Sequence, residues 1–145
     1  MKLHSLSIKR KAKSLLGIAA AFAITACANV PPESLPAHFD FGERPADYEQ
    51  KINAHFESIL KDYDSARFKY GERFEKMQCL TLELRGTPRK IKYAGWARKV
   101  MVNAKNSYGG YGGYKLYVVP FKDGQVWAVY DERDFHFNGC EFLTR

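Results

Sequence analysis

Apolar and polar residues alternate with two different periods along this chain, and the first is the period of a helix. Between residues 47 and 63 the apolar side chains recur at helical spacing, and they are Tyr48, Ile52, Phe56, Ile59, Leu60 and Tyr63. The opposite side carries charged residues, namely Glu49, Lys51, Glu57 and Lys61. Asp47 and Gln50 have the spacing of a capping box, which marks a helix start. The pattern predicts one amphipathic helix over residues 47–63.

After Asp64 and Ser65 the period changes to two, which is typical of half-buried strands. Two short stretches alternate apolar with polar residues, with Ala66, Phe68 and Tyr70 in the first and Leu80, Leu82 and Leu84 in the second. A longer candidate covers residues 91–104, where apolar residues change from odd to even positions. A bulge near Gly95 would reconcile the two halves of this strand.

The clearest local signal is a hairpin near the C-terminus. Residues 114–121 and 126–130 are rich in aromatic and β-branched side chains, and Asp123-Gly124 between them suits a type I′ turn. Residues 135–143 read as a short strand or a turn. One N-terminal helix followed by strands with short connections predicts an α+β fold, with the amphipathic helix packed on an antiparallel sheet of four to six strands.

The N-terminal residues have the pattern of a signal peptide. Basic residues and no acids occupy the first fourteen positions, and they are Lys2, Lys9, Arg10, Lys11 and Lys13. Residues 15–26 are then apolar or small apart from Thr25. As a helix this stretch would rise about 18 Å, less than the roughly 30 Å of a bilayer core. Residues 1–26 are therefore predicted to be a signal peptide that is removed.

The predicted cleavage site, Ile24-Thr25-Ala26-Cys27, resembles the bacterial lipobox. The resemblance implies lipidation of Cys27 with a diacylglycerol and a further acyl chain such as palmitate, which anchors the protein to a membrane. Because Ala28 rather than Asp follows Cys27, the Gram-negative sorting rule favours the outer membrane, with the periplasm and the cell surface both open as the side it faces. The alternative is ordinary secretion after cleavage nearer residues 19–23, with Cys27 incidental.

Residues 27–45 are predicted to form the lipidated cysteine and a flexible tether, because four prolines interrupt them and no apolar period appears. Residues 46–145 are predicted to form a single α+β domain. Removal of the signal peptide also lowers the formal net charge from +7 to +2, since it takes five basic residues and no acid. The high isoelectric point of the whole chain therefore does not indicate a nucleic-acid partner.

Two cysteines remain if Cys27 carries lipid. Cys79 and Cys140 are an even pair in an oxidising compartment, which favours a disulfide between them. Two buried free thiols are the alternative.

A conspicuous stretch of asparagine, glycine and tyrosine covers residues 102–114 and reads Val-Asn-Ala-Lys-Asn-Ser-Tyr-Gly-Gly-Tyr-Gly-Gly-Tyr. An earlier segment, residues 62–68, reads Asp-Tyr-Asp-Ser-Ala-Arg-Phe. Together they resemble a family of short proteobacterial and phage-encoded lipoproteins or secreted proteins. Its pattern is Asp-Pro-x-Ser-Ala-Arg/Lys-Phe/Tyr followed by Val-Asn-Ala-Lys-Asn-Ser-Tyr-Gly-Gly-Tyr, with Tyr63 here in place of the proline. Relatives often have Cys-Gly shortly before Val-Asn, where this chain has Lys99-Val100-Met101, so a disulfide common in them would be wired differently. The resemblance informs the fold more than the function.

This stretch is also the predicted binding loop. Its residues of interest are Asn103, Asn106, Tyr108, Tyr111 and Tyr114, in which tyrosine rings could stack on sugars or pack on a protein while the asparagines hydrogen-bond. The alternative is a connection in which the tyrosines cover the sheet edge and the asparagines bond local backbone. The spacing of a phosphate-binding loop is absent.

Other chemistry is sparsely represented. The most basic stretch, whose cations could face anionic lipid or cell-wall polymer or simply solvent, holds Arg85, Arg89, Lys90, Lys92, Arg98 and Lys99. Three acids near the C-terminus, Asp131, Glu132 and Asp134, lack EF-hand spacing. The three histidines of the processed chain, His38, His55 and His136, stand in no recognised nucleophile or metal pattern. The sequence therefore assigns no catalytic residue, no metal ligand and no cofactor.

These observations favour a membrane-anchored envelope lipoprotein that acts as a non-catalytic binding or interaction module. Its expected partners are the membrane, through the lipid anchor, and an envelope protein or peptidoglycan, with no nucleic acid. One alternative is an inhibitor or immunity lipoprotein against a cell-wall hydrolase. The other is a peptidoglycan or peptide hydrolase, which would need a deep pocket that combines His55 or His136 with a carboxylate.

Overall fold

The computed structural model describes residues 31–82 and 87–144. The predicted signal peptide, the lipidation site Cys27 and the end of the second predicted strand, including Leu84, lie outside these residues. Within the two described ranges, no helix is long and apolar enough to span a membrane.

The first helix, α1, spans Tyr48–Ile59 and buries Ile52 and Phe56 completely. The predicted capping box is wrong, because Asp47 precedes the helix without a side-chain capping bond. Its carboxylate instead pairs with Lys51 at 2.8 Å, and the hydrogen bond from Lys51 lowers the pKa of Asp47. The helix ends before the predicted residue 63, and a 3₁₀ turn follows at Tyr63–Ser65.

Within the described residues, six strands form one antiparallel sheet, and the α+β class with an antiparallel sheet is confirmed. The strands are β1 at Arg67–Leu80, β2 at Ile91–Asn103, β3 at Lys115–Lys122, β4 at Gln125–Val126, β5 at Tyr130–Asp131 and β6 at Cys140–Phe142. Their order is β4-β3-β2-β1-β6, with β5 also paired to β3. The sheet is therefore built around the long central hairpin of β1 and β2.

Strand β1 is continuous where the sequence pattern predicts two separate strands. Tyr70 of β1 pairs with Val100 of β2, and Phe74 pairs with Arg98. Three residues of β1 therefore lie opposite a single residue of β2, Lys99. This bulge carries Gly71, where a Cβ would come within 3.1 Å of the Lys99 carbonyl oxygen. The bulge interrupts the apolar alternation and hides the continuity of the strand.

The bulge predicted near Gly95 is wrong. Gly95 pairs in regular register with Met77, and the irregularity of β2 lies instead between Tyr93 and Ile91. The shift of apolar residues from odd to even positions in β2 has another cause. Both faces of the sheet are covered, and each cover packs on a different part of β2. Tyr93 points to one face, and Val100 points to the other.

Two hydrophobic clusters result. We call the first the helix-side cluster, which packs α1 on the sheet and consists of Ile52, Phe56, Val100, Val102, Val119 and Phe121. We call the second the disulfide-side cluster, which consists of Met77, Cys79, Tyr93, Ala97, Val118, Tyr130, Phe135 and Cys140. Adjacent residues Val118 and Val119 belong to different clusters, which shows that the clusters occupy opposite faces.

The C-terminal segment covers the disulfide-side cluster. It contains a short helix, α2, at Glu132–Phe137, where the sequence pattern predicts a strand or a turn. The carboxylate of Asp131 caps this helix by accepting a hydrogen bond from the Asp134 amide at 2.8 Å. Strand β6 then places Cys140 directly opposite Cys79, and the predicted disulfide is present.

The type I′ turn is confirmed at the β3–β4 hairpin. Asp123 and Gly124 have φ angles of 51° and 72°, the positive values that both central residues of this turn require.

The residues before α1 lie on the folded domain although the sequence predicts a flexible tether up to residue 45. We call residues 31–45 the strap. Glu33 donates its amide to the Arg89 carbonyl and accepts a hydrogen bond from the Ile91 amide, both at 2.9 Å. Trp96 donates its indole N–H to the Gly42 carbonyl at 2.8 Å. About five residues therefore separate Cys27 from Glu33, the first strap residue that bonds to the domain.

Candidate binding loop

The two sequence stretches at residues 62–68 and 102–114 meet in space at one end of the sheet. Ser65, in the 3₁₀ turn, accepts a hydrogen bond from the Lys105 amide on its hydroxyl and another from the Tyr111 hydroxyl on its carbonyl, each at 3.0 Å. Arg67, the first residue of β1, pairs with Asn103, the last of β2. The loop between β2 and β3 is therefore attached to the turn that precedes β1.

Asn106 closes the loop on itself. Its side-chain oxygen accepts hydrogen bonds from the amides of Tyr108 and Gly110 at 2.9 Å and 3.1 Å. Its backbone amide donates to the Gly110 carbonyl at 2.8 Å. Asn106 thus bonds local backbone, as the alternative interpretation of the loop expects, and its amide oxygen is engaged within the loop.

Asn103 is buried at the end of β2, and its side-chain oxygen has no hydrogen-bond partner within the described residues. The sequence interpretation gives this residue a role in hydrogen bonding to a ligand. The structure places it at the end of β2, opposite Arg67 of β1, where it is buried.

The three tyrosines differ in how the structure holds them. Tyr108 lies at the tip of the loop and is 97% exposed. Tyr111 and Tyr114 are 40% and 39% exposed, since the Arg67 guanidinium lies 4.6 Å from the Tyr111 ring centre and the Lys69 ammonium 4.3 Å from that of Tyr114. The cations fix the orientation of two rings. Tyr108 has no such support.

The glycines of the loop leave bare backbone between these rings. Gly109 and Gly113 have φ angles of 80° and 94°, which explains the absence of a side chain there. Gly112 has no positive φ, and a Cβ added to it would meet nothing within 4 Å. Neither backbone conformation nor internal packing therefore explains glycine at this position.

The cations beside the loop were not part of the predicted site. Arg67, Lys69 and Lys105 lie next to the tyrosine rings, and none forms an ion pair among the residues that the structure describes. The sequence signal for two of these cations is the alternation of Arg67 and Lys69 with Phe68 and Tyr70, which places both cations on the same face of a strand. Their proximity to a loop about forty residues later follows only from the pairing of β1 with β2.

The basic stretch predicted at residues 85–99 does not form one patch. Arg98 is buried against Tyr48 and donates to its hydroxyl at 3.0 Å. Lys99 pairs with Glu75 at 3.1 Å on the opposite face, and Lys92 donates to Asn138. Arg85 lies outside the described residues.

Acids and histidines do not converge in the described part of the chain. No group of three side chains among His, Cys, Asp and Glu could hold a metal ion there. Asp131 is engaged as the cap of α2, and His55 and His136 lie on different helices. The cavity under the strap has neither histidine in its lining. His38 is an exposed strap residue.

Comparison with known proteins assigns this chain to no family. No protein-family model, no characterised protein and no solved structure matches the chain.

Proposed function

We propose that this chain is a membrane-anchored envelope lipoprotein whose α+β domain, with its N-terminal helix on one face of the sheet, is a non-catalytic binding module for an envelope protein or a cell-wall component. Lipid on Cys27 is the anchor, with the outer membrane as its site. The loop of residues 103–114 is the binding surface, and the kinship suggested by its sequence pattern belongs to the same proposal.

The observation that carries the proposal is the contrast between the fixed base and the exposed tip of the loop. Asn106 and Ser65 hold the backbone through several hydrogen bonds, while Tyr108 is 97% exposed. A large amphipathic ring on a preorganised loop loses little conformational entropy on binding, which is the usual design of a protein contact. The bare backbone at Gly112 would let a partner approach closely.

The loop is tested by replacing Tyr108, Tyr111 and Tyr114 with alanine together. We expect the variant to keep its unfolding midpoint within a small margin and to lose capture of envelope partners from crosslinked cells, and to lose cosedimentation with purified peptidoglycan if that is the ligand. Phe137→Ala is the matched control, because Phe137 is an exposed aromatic residue that belongs to α2 and not to the loop. Capture by the tyrosine variant at the level of the unaltered protein would reject the loop as the binding surface.

The anchor is tested separately through Cys27→Ser. We expect this variant to lose metabolic labelling with palmitate and to move from the membrane to the soluble fraction. Normal membrane retention without acylation would contradict the lipoprotein assignment and leave the loop proposal to be judged on its own test.

A further inference from the structure

A cavity of about 1220 Å³ lies between the strap, β1 and the C-terminal residues. Its walls are rich in apolar side chains, notably Leu35, Phe39, Phe41, Phe74, Trp96 and Phe142. Ligand sites of proteins are usually concave, mostly apolar and of comparable or somewhat smaller volume. The cavity is separate from the loop, whose residues do not line it.

The strap holds the cavity in shape through aromatic and cationic contacts around Trp96. The ring of Phe41 lies 5.9 Å from that of Trp96, with the Lys76 ammonium 4.7 Å from the Phe41 ring. The Arg44 guanidinium lies 5.2 Å from the Trp96 ring. The Lys76 ammonium lies 5.5 Å from the Trp96 ring as well, so two cations stand beside one indole ring in the cavity wall.

Each acid of the lining forms an ion pair or accepts a hydrogen bond, whereas the cations of the lining form no ion pair within the described residues. Glu33 accepts the Ile91 amide, Glu75 pairs with Lys99, and Glu141 accepts the Gln78 amide group at 2.7 Å. Within the described residues, the cations of the lining form no ion pair, and these cations are Arg44, Arg73 and Lys76. Glu33 and Glu141 keep their negative charge, so the positive charge is local and is concentrated beside Trp96, where Arg44 and Lys76 both lie.

An unused polar atom belongs to the same lining. The side-chain oxygen of Gln78 is buried and has no hydrogen-bond partner among the described residues. A buried acceptor without a partner is costly, and a water molecule or a ligand hydroxyl would satisfy it, whereas a carboxylate or phosphate oxygen would not.

We propose that this cavity binds a single-chain anionic amphiphile. The aliphatic tail packs against the apolar wall, and the anionic head, a carboxylate or a phosphate, pairs with Arg73, Lys76 and Arg44. A free fatty acid and a lysophospholipid share this chemistry. Charge complementarity selects an anion, and the apolar wall selects a ligand with an extended apolar body.

Trp96 provides a direct probe for the proposal. The chain has two tryptophans, and the second, Trp127, stacks on Tyr93 in the disulfide-side cluster. The processed chain with Cys27→Ser contains every element described above, and Trp127→Phe makes Trp96 its single tryptophan. We expect titration with myristate, kept below its critical micelle concentration, to change the Trp96 emission saturably. Calorimetric titration of the chain that retains Trp127 measures the same binding if Trp127→Phe weakens the fold.

Head-group charge and Arg73 are the two controls on specificity. Lysophosphatidylglycerol should bind as myristate does if a phosphate serves as well as a carboxylate, whereas uncharged dodecyl maltoside should bind at least about tenfold more weakly. Arg73→Gln should weaken myristate binding by about tenfold, while the exposed lysine variants Lys115→Gln and Lys122→Gln should leave it unchanged. Binding of myristate but not of lysophosphatidylglycerol would assign the site to free fatty acids.

Three results would overturn the proposal. They are the absence of saturable myristate binding, equal binding of dodecyl maltoside, and a preference for an acidic Glu-rich peptide over both lipids. The triple tyrosine variant of the loop should bind myristate normally, so failure of the loop proposal and failure of this one give different results.

Discussion

The two faces of the sheet are covered by different means. On one face, α1 is a helix of 12 residues whose buried side chains pack without any covalent link to the sheet. On the other face, α2 has only 6 residues and lies between β5 and β6, and the Cys79–Cys140 disulfide ties this cover to β1. Short helices are marginal without tertiary support. The comparison indicates that the cover formed by α2 depends on the disulfide, whereas the cover formed by α1 depends on side-chain packing.

Phe56→Ala should produce the largest loss of stability on the helix side. Phe56 is fully buried, and its ring packs edge-on against Phe68 and Tyr117 at centroid distances of 5.6 Å and 5.2 Å. Truncation of a buried phenylalanine typically lowers the free energy of unfolding by about 3–5 kcal/mol. Urea unfolding followed by circular dichroism measures it, with the exposed Phe137→Ala expected to cost less than about 0.5 kcal/mol. Equal midpoints for the two variants would mean that α1 contributes little to the fold.

Removal of the disulfide by Cys79→Ser with Cys140→Ser should have a comparable or slightly smaller effect. The two cysteines are 61 residues apart, and in the chain-entropy model a loop of this length contributes about 4 kcal/mol. Hydrogen exchange should locate the loss, with amides of α2 and β6 losing more protection than those of α1. Uniform loss over both faces would contradict the idea that the crosslink serves one cover.

The sequence pattern predicts those parts of the fold that depend on near neighbours. The type I′ turn at Asp123 and Gly124 follows from local backbone chemistry, and the pair Cys79 and Cys140 follows from the count of cysteines. The continuity of β1 does not follow, because the bulge at Gly71 interrupts its alternation. The apolar residues of β2 change from odd to even positions. This change suggests a bulge at Gly95 only if a single face of the sheet is assumed to be buried.

The strap and the candidate sites depend on contacts that local patterns do not contain. A proline-rich segment has the composition of a tether, yet the Trp96 indole binds the Gly42 carbonyl across more than fifty residues. In the loop, the tyrosines are conspicuous in the sequence, but the placement of Arg67 against Tyr111 requires the register of β1 on β2. Asn106 illustrates the converse, since its residue type favours local backbone bonds as much as ligand bonds.

The caps of the two helices should also differ. Asp131 accepts the Asp134 amide at the start of α2, and Asp131→Ala should lower the free energy of unfolding by about 1 kcal/mol. Asp47 makes no such bond at α1 and forms only an exposed ion pair, so Asp47→Ala should have a clearly smaller effect. Urea unfolding of both variants makes the comparison. A larger loss for Asp47→Ala would show that α1 relies on its N-terminus more than its packing suggests.

The last expected effect is a pH dependence above about pH 10, to which both faces should contribute. Burial raises the pKa of Tyr70 on the helix side to about 12 and raises the pKa of Tyr93 on the disulfide side still further. The unfolded chain releases these protons near pH 10 while the folded chain keeps them, so their contribution is complete below about pH 10 and is lost as the pH rises toward the folded pKa.

Unfolding midpoints measured at about pH 8 and about pH 11 test the direction of this pH dependence. The free energy of unfolding should be lower at the higher pH. Tyr93→Phe and Tyr70→Phe should each flatten the pH dependence, and by similar amounts, because about pH 11 lies above the unfolded tyrosine pKa and below both raised pKa values. Tyr93→Phe also removes the hydrogen bond that the Tyr93 hydroxyl donates to the Phe121 carbonyl at 2.7 Å. The loss of that bond lowers stability at both pH values and leaves the difference between them as the measure of titration. An unchanged pH dependence in both variants would contradict the assignment of the alkaline sensitivity to these two tyrosines.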